Sequence, residues 1–257
     1  MNKIKALSIM LIFFTAAISL SCATIGCQSY GDSILSTEQD RDRLPRKSFL
    51  KIYRNASFKL CPDPEKPEEC ITKTIRTTGS GFLISNVAQG GFMMTAAHVC
   101  DITDLVKYVK SIDSSVQMTG DTMIVEDVDG NRFESNVLEM DIPADLCVAF
   151  VHGIRNPPVE IAYHAPRAGE EAWNLAAPVG FFAANVVPTL HGSYNGQYGR
   201  YASYTVPAVG GSSGSPVFNV AGEVIGMIHS VHTRFQFLTF SPTHKEIWDM
   251  ASKYLNL

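Results

Sequence analysis

The sequence predicts an all-β protein, a barrel or a sandwich built from many short strands. Two observations carry that prediction. Segments rich in Val, Ile and Phe run for only a few residues, as at Gly81–Ser85, Asp121–Val125, Leu146–Val151 and Glu223–Ile228. Between them stand Gly, Asn, Asp and Pro, the residues of tight turns rather than of long helices. Only two helices stand out. One is a short turn after His98. The other is C-terminal, within 243–255, where Thr243 with Glu246 three residues on makes a capping box. Ser241-Pro242 suits a helix start, and Ile247, Met250, Ala251 and Leu255 form one apolar stripe.

Composition narrows the function classes. Apolar residues are 46% of the chain and charged ones 18%, which excludes a disordered chain and a coiled-coil rod. With 21 basic against 25 acidic residues the net charge is −4, so no nucleic-acid partner is expected. No segment repeats at solenoid spacing. The histidines show no metal-ligand spacing, and neither a metal nor another cofactor is expected.

The N-terminus reads as an export signal. Lys3 and Lys5 precede an uncharged run from Ala6 to Gly26, the layout of a basic region followed by an apolar one. An uncleaved membrane anchor is the competing reading. Thr24-Ile25-Gly26-Cys27 resembles a bacterial lipoprotein cleavage site, which implies a lipidated Cys27 and membrane attachment through it. Ordinary cleavage with a spare thiol is the alternative. The expected organisation is a signal over 1–26, a polar tether over 27–47 and a folded domain over 48–257. The expected location is the bacterial periplasm or cell envelope, or the medium. Cys61, Cys70, Cys100 and Cys147 form an even set inside the folded part. In an oxidising compartment they allow two bridges and three pairings.

Three short motifs occur in a fixed order: Thr95-Ala96-Ala97-His98-Val99-Cys100, then Ala144-Asp145-Leu146-Cys147-Val148-Ala149, then Gly210-Gly211-Ser212-Ser213-Gly214-Ser215-Pro216-Val217-Phe218. Singly, a histidine in an apolar run, an aspartate before a strand and a Gly/Ser hexamer each have ordinary structural explanations. Jointly, they resemble the His, Asp and Ser motifs of the trypsin-like (chymotrypsin-fold) serine proteases, in that family's chain order. The resemblance covers about residues 48–255 and is closest in flavour to the HtrA-type and glutamyl endopeptidase branches. No PDZ-like segment is expected after the C-terminal helix.

The resemblance implies two six-stranded antiparallel barrels, over about 48–160 and 161–240, with the C-terminal helix behind them. It implies a serine endopeptidase acting on protein or peptide substrates. His98 would be the general base, Asp145 its orienting carboxylate and Ser213 the nucleophile, with the amides of Gly211 and Ser213 as the oxyanion hole. Ala208, Ile228, His229 and Val231 would line the substrate pocket, where no acid stands to meet Lys or Arg, so an uncharged, apolar P1 side chain is expected. Cys100 and Cys147 each follow a triad member by two residues, which points to a Cys100–Cys147 bridge, with Cys61–Cys70 closing the Pro-rich loop. Ser212 occupies the position where digestive members carry the Asp that pairs with a freed N-terminus. The site is therefore expected to form without that activation step. A catalytically silent binding domain on the same fold is the alternative function. An esterase of the α/β-hydrolase kind fits poorly, because it would run Ser, Asp, His.

Overall fold

Every residue of β3 (Gly90–Thr95) is buried, which a strand tolerates only when both of its faces are covered. In the computed structural model, which describes residues 43–61 and 66–255, β3 lies inside a closed barrel. Its partners are β1 (Phe49–Leu60), β2 (Ile71–Val87), β4 (Gln117–Asp127), β5 (Arg132–Asp141) and β6 (Leu146–His152). The order is β1-β2-β3-β6-β5-β4, all neighbours antiparallel, with β1 pairing both β2 and β4 to shut the ring. The first four residues of β1 are buried, and beyond them only Ala56 and Phe58 are. There β1 and β2 run on as a hairpin, paired down to Leu60 opposite Ile71 and tied by the Cys61–Cys70 bridge.

Two helices follow β3. The first, α1 (Ala97–Cys100), is the expected turn at His98. The second, α2 (Thr103–Ile112), was not expected from the sequence. Its Leu105, Val106 and Val109 pack on Phe58, Ala56 and Val116, a small satellite core beneath the hairpin. These residues recur at helical spacing, and Asp101 accepts from the Thr103 amide at 2.8 Å to start the helix.

The second sheet holds β7 (Glu171–Leu175), β8 (Thr189–Tyr198), β9 (Tyr201–Tyr204), β10 (Pro216–Phe218), β11 (Val224–Met227), β12 (Ser230–His232) and β13 (Phe235–Ser241). Its order is β11-β10-β7-β8-β9-β13-β12, seven strands instead of the six expected. The extra strand arises from a bend. Ile228 N–H donates to Ser215 O at 2.9 Å, and His229 N–H donates to Phe240 O at 3.0 Å. The chain from Val224 to His232 therefore leaves the β10 edge and joins the β13 edge. Taken as one bent strand, it brings the two ends of the sheet together. The all-β, two-sheet architecture matches the expectation, and the bend explains the different count.

The C-terminal helix α3 (His244–Ala251) carries the expected capping box, with Thr243 and Glu246 satisfying each other's amides. It ends earlier than the apolar stripe suggests, and turns continue to Leu255. Its Ile247, Met250 and Ala251 enter a cluster that also contains Leu83, Met94 and Val148 from the barrel and Trp173, Phe218 and Met227 from the second sheet. One apolar core thus runs through both sheets and fixes their junction. The expected signal over 1–26, Cys27 and most of the tether lie outside the described residues.

Candidate active site

The carboxylate comes first, because its backbone is unusual. Asp145 has φ +56°, a left-handed conformation that Asp tolerates better than most residues. It lies on the turn entering β6, next to the buried run Leu146–Ala149. Its carbonyl accepts from the Ala97 amide at 3.1 Å. Its side chain accepts twice from His98, from the backbone N–H at 2.9 Å and from Nδ1 at 2.8 Å. Cys100 and Cys147, two residues beyond His98 and Asp145 respectively, are joined as expected, with Cα atoms 6.6 Å apart.

Burial raises the carboxyl pKa of Asp145, but the imidazoles of His229 and His98 outweigh it and hold the group well below the usual carboxylate range. An ionised carboxylate can only accept, so His98 carries its proton on Nδ1 and leaves the Nε2 lone pair free. His98 and Ser213 line one cavity of about 340 Å³, together with Thr78, Val99 and Leu105. Among the described residues no hydrogen bond joins Ser213 Oγ to His98. Such bonds are often long in free enzymes and tighten around substrate.

The nucleophile loop is shaped by where its carbonyls point. Gly210 O accepts from Val179 N–H at 2.7 Å, and Ser212 O accepts from Ser215 N–H at 3.0 Å. A trans peptide directs its N–H opposite to its C=O. The N–H groups of Gly211 and Ser213 are therefore turned away from those partners, and neither has a backbone acceptor among the described residues. Glycine is required on both sides of Ser213. Gly211 has φ +92°, and a Cβ there would stand 2.5 Å from Ala177 O. Gly214 has φ +84°, and a Cβ there would stand 2.1 Å from both Ser80 O and Thr95 Oγ1.

Ser80 carries a role that the sequence reading missed. It is fully buried, and its N–H donates to Ser213 O at 2.8 Å. Its hydroxyl donates to Gly211 O at 2.8 Å and accepts from Ala177 N–H at 3.1 Å. The Gly79-Ser80-Gly81 pattern was visible, but its link to residues more than a hundred positions away was not.

The residues expected to form the substrate pocket separate. Ala208 and Ile228 are buried in the apolar core of the second sheet, with Val231 packed against it. His229 stands on the Asp145 carboxylate instead, its Nδ1 3.5 Å from Oδ2, longer than an ordinary N–H···O bond. The ring lies against Tyr201 with centroids 5.1 Å apart. Its Nε2 is buried without a hydrogen-bond partner among the described residues.

An imidazole oriented by a carboxylate, a serine on the same cavity and two amides beside it without a backbone acceptor, set between a closed barrel and a second β-sheet, define the class of two-barrel serine peptidases. The trypsin-like peptidase domain profile matches residues 79–227, more than half of the chain, and the chain belongs to that family. A probable periplasmic serine endoprotease, DegP-like, from Pseudomonas fluorescens is 26% identical over 178 residues, covering 67% of this chain and 33% of its own. A putative serine protease, HhoB, from Synechocystis is 26% identical over 230 residues, covering 83% of this chain and 48% of its own. This chain thus spans between a third and a half of the length of those relatives. The serine endoprotease from Yersinia pestis shares the fold, with a TM-score of 0.60 over 85% of this chain and 66% of that one, at 18% identity.

Proposed function

We propose that the chain is an exported serine endopeptidase that cleaves protein or peptide substrates through His98, Asp145 and Ser213. The observation that carries this reading is the doubly bonded His98–Asp145 pair facing the cavity it shares with Ser213. Ser213 Oγ attacks the scissile carbonyl carbon while His98 Nε2 takes its proton. The carbonyl π pair moves onto oxygen, and the oxyanion accepts from the N–H groups of Gly211 and Ser213. Collapse breaks the C–N bond, and His98 returns the proton to the leaving amine. Water, deprotonated by the same Nε2, then releases the acyl group from Ser213. Asp145 stays ionised throughout and stabilises the imidazolium.

Export is supported by the N-terminal layout and by relatives named as periplasmic. Cys27 is proposed as the lipidated residue, and loss of labelled-palmitate incorporation in Cys27→Ala tests it. The lack of any acid in the stretches Pro207–Val209 and Ile228–Val231 supports an uncharged P1 side chain.

The deciding experiment compares wild type with Ser213→Ala. A fluorophosphonate probe should label the first and not the second, and casein hydrolysis should follow the same pattern. A folded wild type that neither labels nor cleaves would make the chain a silent binding domain and end the peptidase reading.

A further inference from the structure

Lys51 is only 6% exposed, and a buried ammonium costs desolvation unless it is well partnered. Its cross-strand neighbour is Glu126, but that carboxylate is engaged by Tyr53 Oη at 3.1 Å and Arg132 Nε at 2.8 Å. No carboxylate lies within ion-pair reach of Lys51 among the described residues. Its Nζ donates to Gly180 O at 2.5 Å and sits 4.8 Å from the centre of the Tyr53 ring and 5.8 Å from that of Phe182. A lysine of the first barrel thus ends on a backbone carbonyl of the turn Pro178–Gly180.

That turn is strained and poorly anchored by its own side chains. Val179 has φ +49°, a conformation that a β-branched residue adopts only under constraint. Its side chain is 81% exposed and packs little. The turn nevertheless sits directly on the nucleophile loop. Val179 N–H holds Gly210 O at 2.7 Å, and a Cβ built on Gly211 would meet Ala177 O at 2.5 Å, Gly180 N at 3.0 Å and Val179 N at 3.2 Å. The bond on Gly210 O sets the plane of the Gly210–Gly211 peptide, and so the direction of the Gly211 N–H.

We propose that Lys51 is a positioning residue for the oxyanion hole: through Gly180 O it clamps the strained turn whose Val179 amide fixes the Gly210–Gly211 peptide. The inference rests on the serine-peptidase reading. It supplies a brace where Ser212 leaves no carboxylate for an ion pair with a freed N-terminus. Without the lysine, the turn relaxes, Val179 N–H leaves Gly210 O, and the peptide is free to rotate its N–H out of the hole.

The test uses the full chain and the variants Lys51→Met, Lys51→Gln and Lys51→Arg, each checked by circular dichroism. In Lys51→Met, kcat on a peptide amide should fall about 10- to 100-fold, less than or comparable to the loss of an oxyanion donor itself. KM should stay within about threefold, as for an interaction made only in the transition state. Hydrogen exchange at the Val179 amide should quicken about tenfold or more, while the Val148 amide in β6 keeps its protection. Lys51→Arg, which keeps a cationic donor, should recover most of kcat. Lys51→Gln, one bond shorter, should show the same pattern at smaller amplitude and carries the test if the Met variant does not fold. An unchanged kcat, a loss carried by KM, or unaltered Val179 exchange overturns the proposal. A wild type that fails to label with fluorophosphonate defeats the peptidase reading instead, and Val179 exchange then decides on the brace alone.

Discussion

Removing the Cys100–Cys147 bridge should cost more stability than removing the Cys61–Cys70 bridge. The bridge spans 47 residues, from the end of α1 to the second residue of β6. In the chain-entropy picture, a loop of that length contributes about 4 kcal/mol at 25 °C by restricting the unfolded chain. The Cys61–Cys70 bridge spans 9 residues, and the same relation gives about 2.5 kcal/mol. The two also differ in place. Cys100 and Cys147 are buried in the main core, whereas the short bridge ties the tip of a hairpin that projects beyond the barrel. Urea unfolding of Cys100→Ala/Cys147→Ala, of Cys61→Ala/Cys70→Ala and of wild type measures both losses. The expected ranking puts the long bridge ahead by about 1.5 kcal/mol, with the truncated sulfur packing adding to the gap. Equal losses, or a loss below about 1 kcal/mol for the long bridge, would refute the reasoning.

Three further outcomes follow from the site. His229→Phe keeps a ring against Tyr201 but removes the second imidazole from Asp145; kcat should drop about three- to tenfold with KM little changed, and steady-state kinetics on a peptide amide reads it. Asp145 has a depressed folded-state pKa, so its stabilising contribution is fully present above the unfolded carboxyl value of about 4 and is lost as pH falls below it towards the folded value. Urea midpoints of wild type and Asp145→Asn should therefore differ at neutral pH and converge in acid; a constant gap would contradict this. Gly214→Ala has no room for its Cβ at 2.1 Å from two oxygens and should lose more than about 4 kcal/mol, or fail to fold, in a thermal melt.

The proposed triad is legible in the sequence because its chemistry constrains short stretches of chain. A base, a carboxylate and a nucleophile flanked by obligatory glycines leave local signatures at His98, Asp145 and Gly211 to Gly214. The strands were legible because their β-branched runs are short and bounded by turn residues. What escaped was long-range or weakly periodic. Ser80 acts on Gly211 and Lys51 on Gly180, each across about 130 positions of chain, and no local pattern marks such a pair. His229 was assigned to a pocket wall because its position was placed by resemblance, whereas the bend between β11 and β12 turns its ring onto Asp145. Helix α2 was missed because its apolar face covers only a satellite core, and Val106, Val109 and Ile112 have as much preference for strand as for helix.

The division of the site between the two sheets gives these hidden contacts their importance. His98 and Asp145 belong to the barrel, and Ser213 belongs to a loop of the second sheet, so the proposed catalysis depends on a registration that neither sheet sets alone. The shared apolar core brings the sheets together but is not directional. Direction comes from a few polar links that cross the junction: Ser80 N–H to Ser213 O, Ser80 Oγ to Gly211 O, and Lys51 Nζ to Gly180 O. Each runs from β1 or β2 to a backbone carbonyl in or against the nucleophile loop. Each fixes a peptide plane rather than a side chain, and peptide planes are what aim the oxyanion donors. The holding of these carbonyls places the control of the proposed reactivity in the first barrel as much as in the loop that bears Ser213.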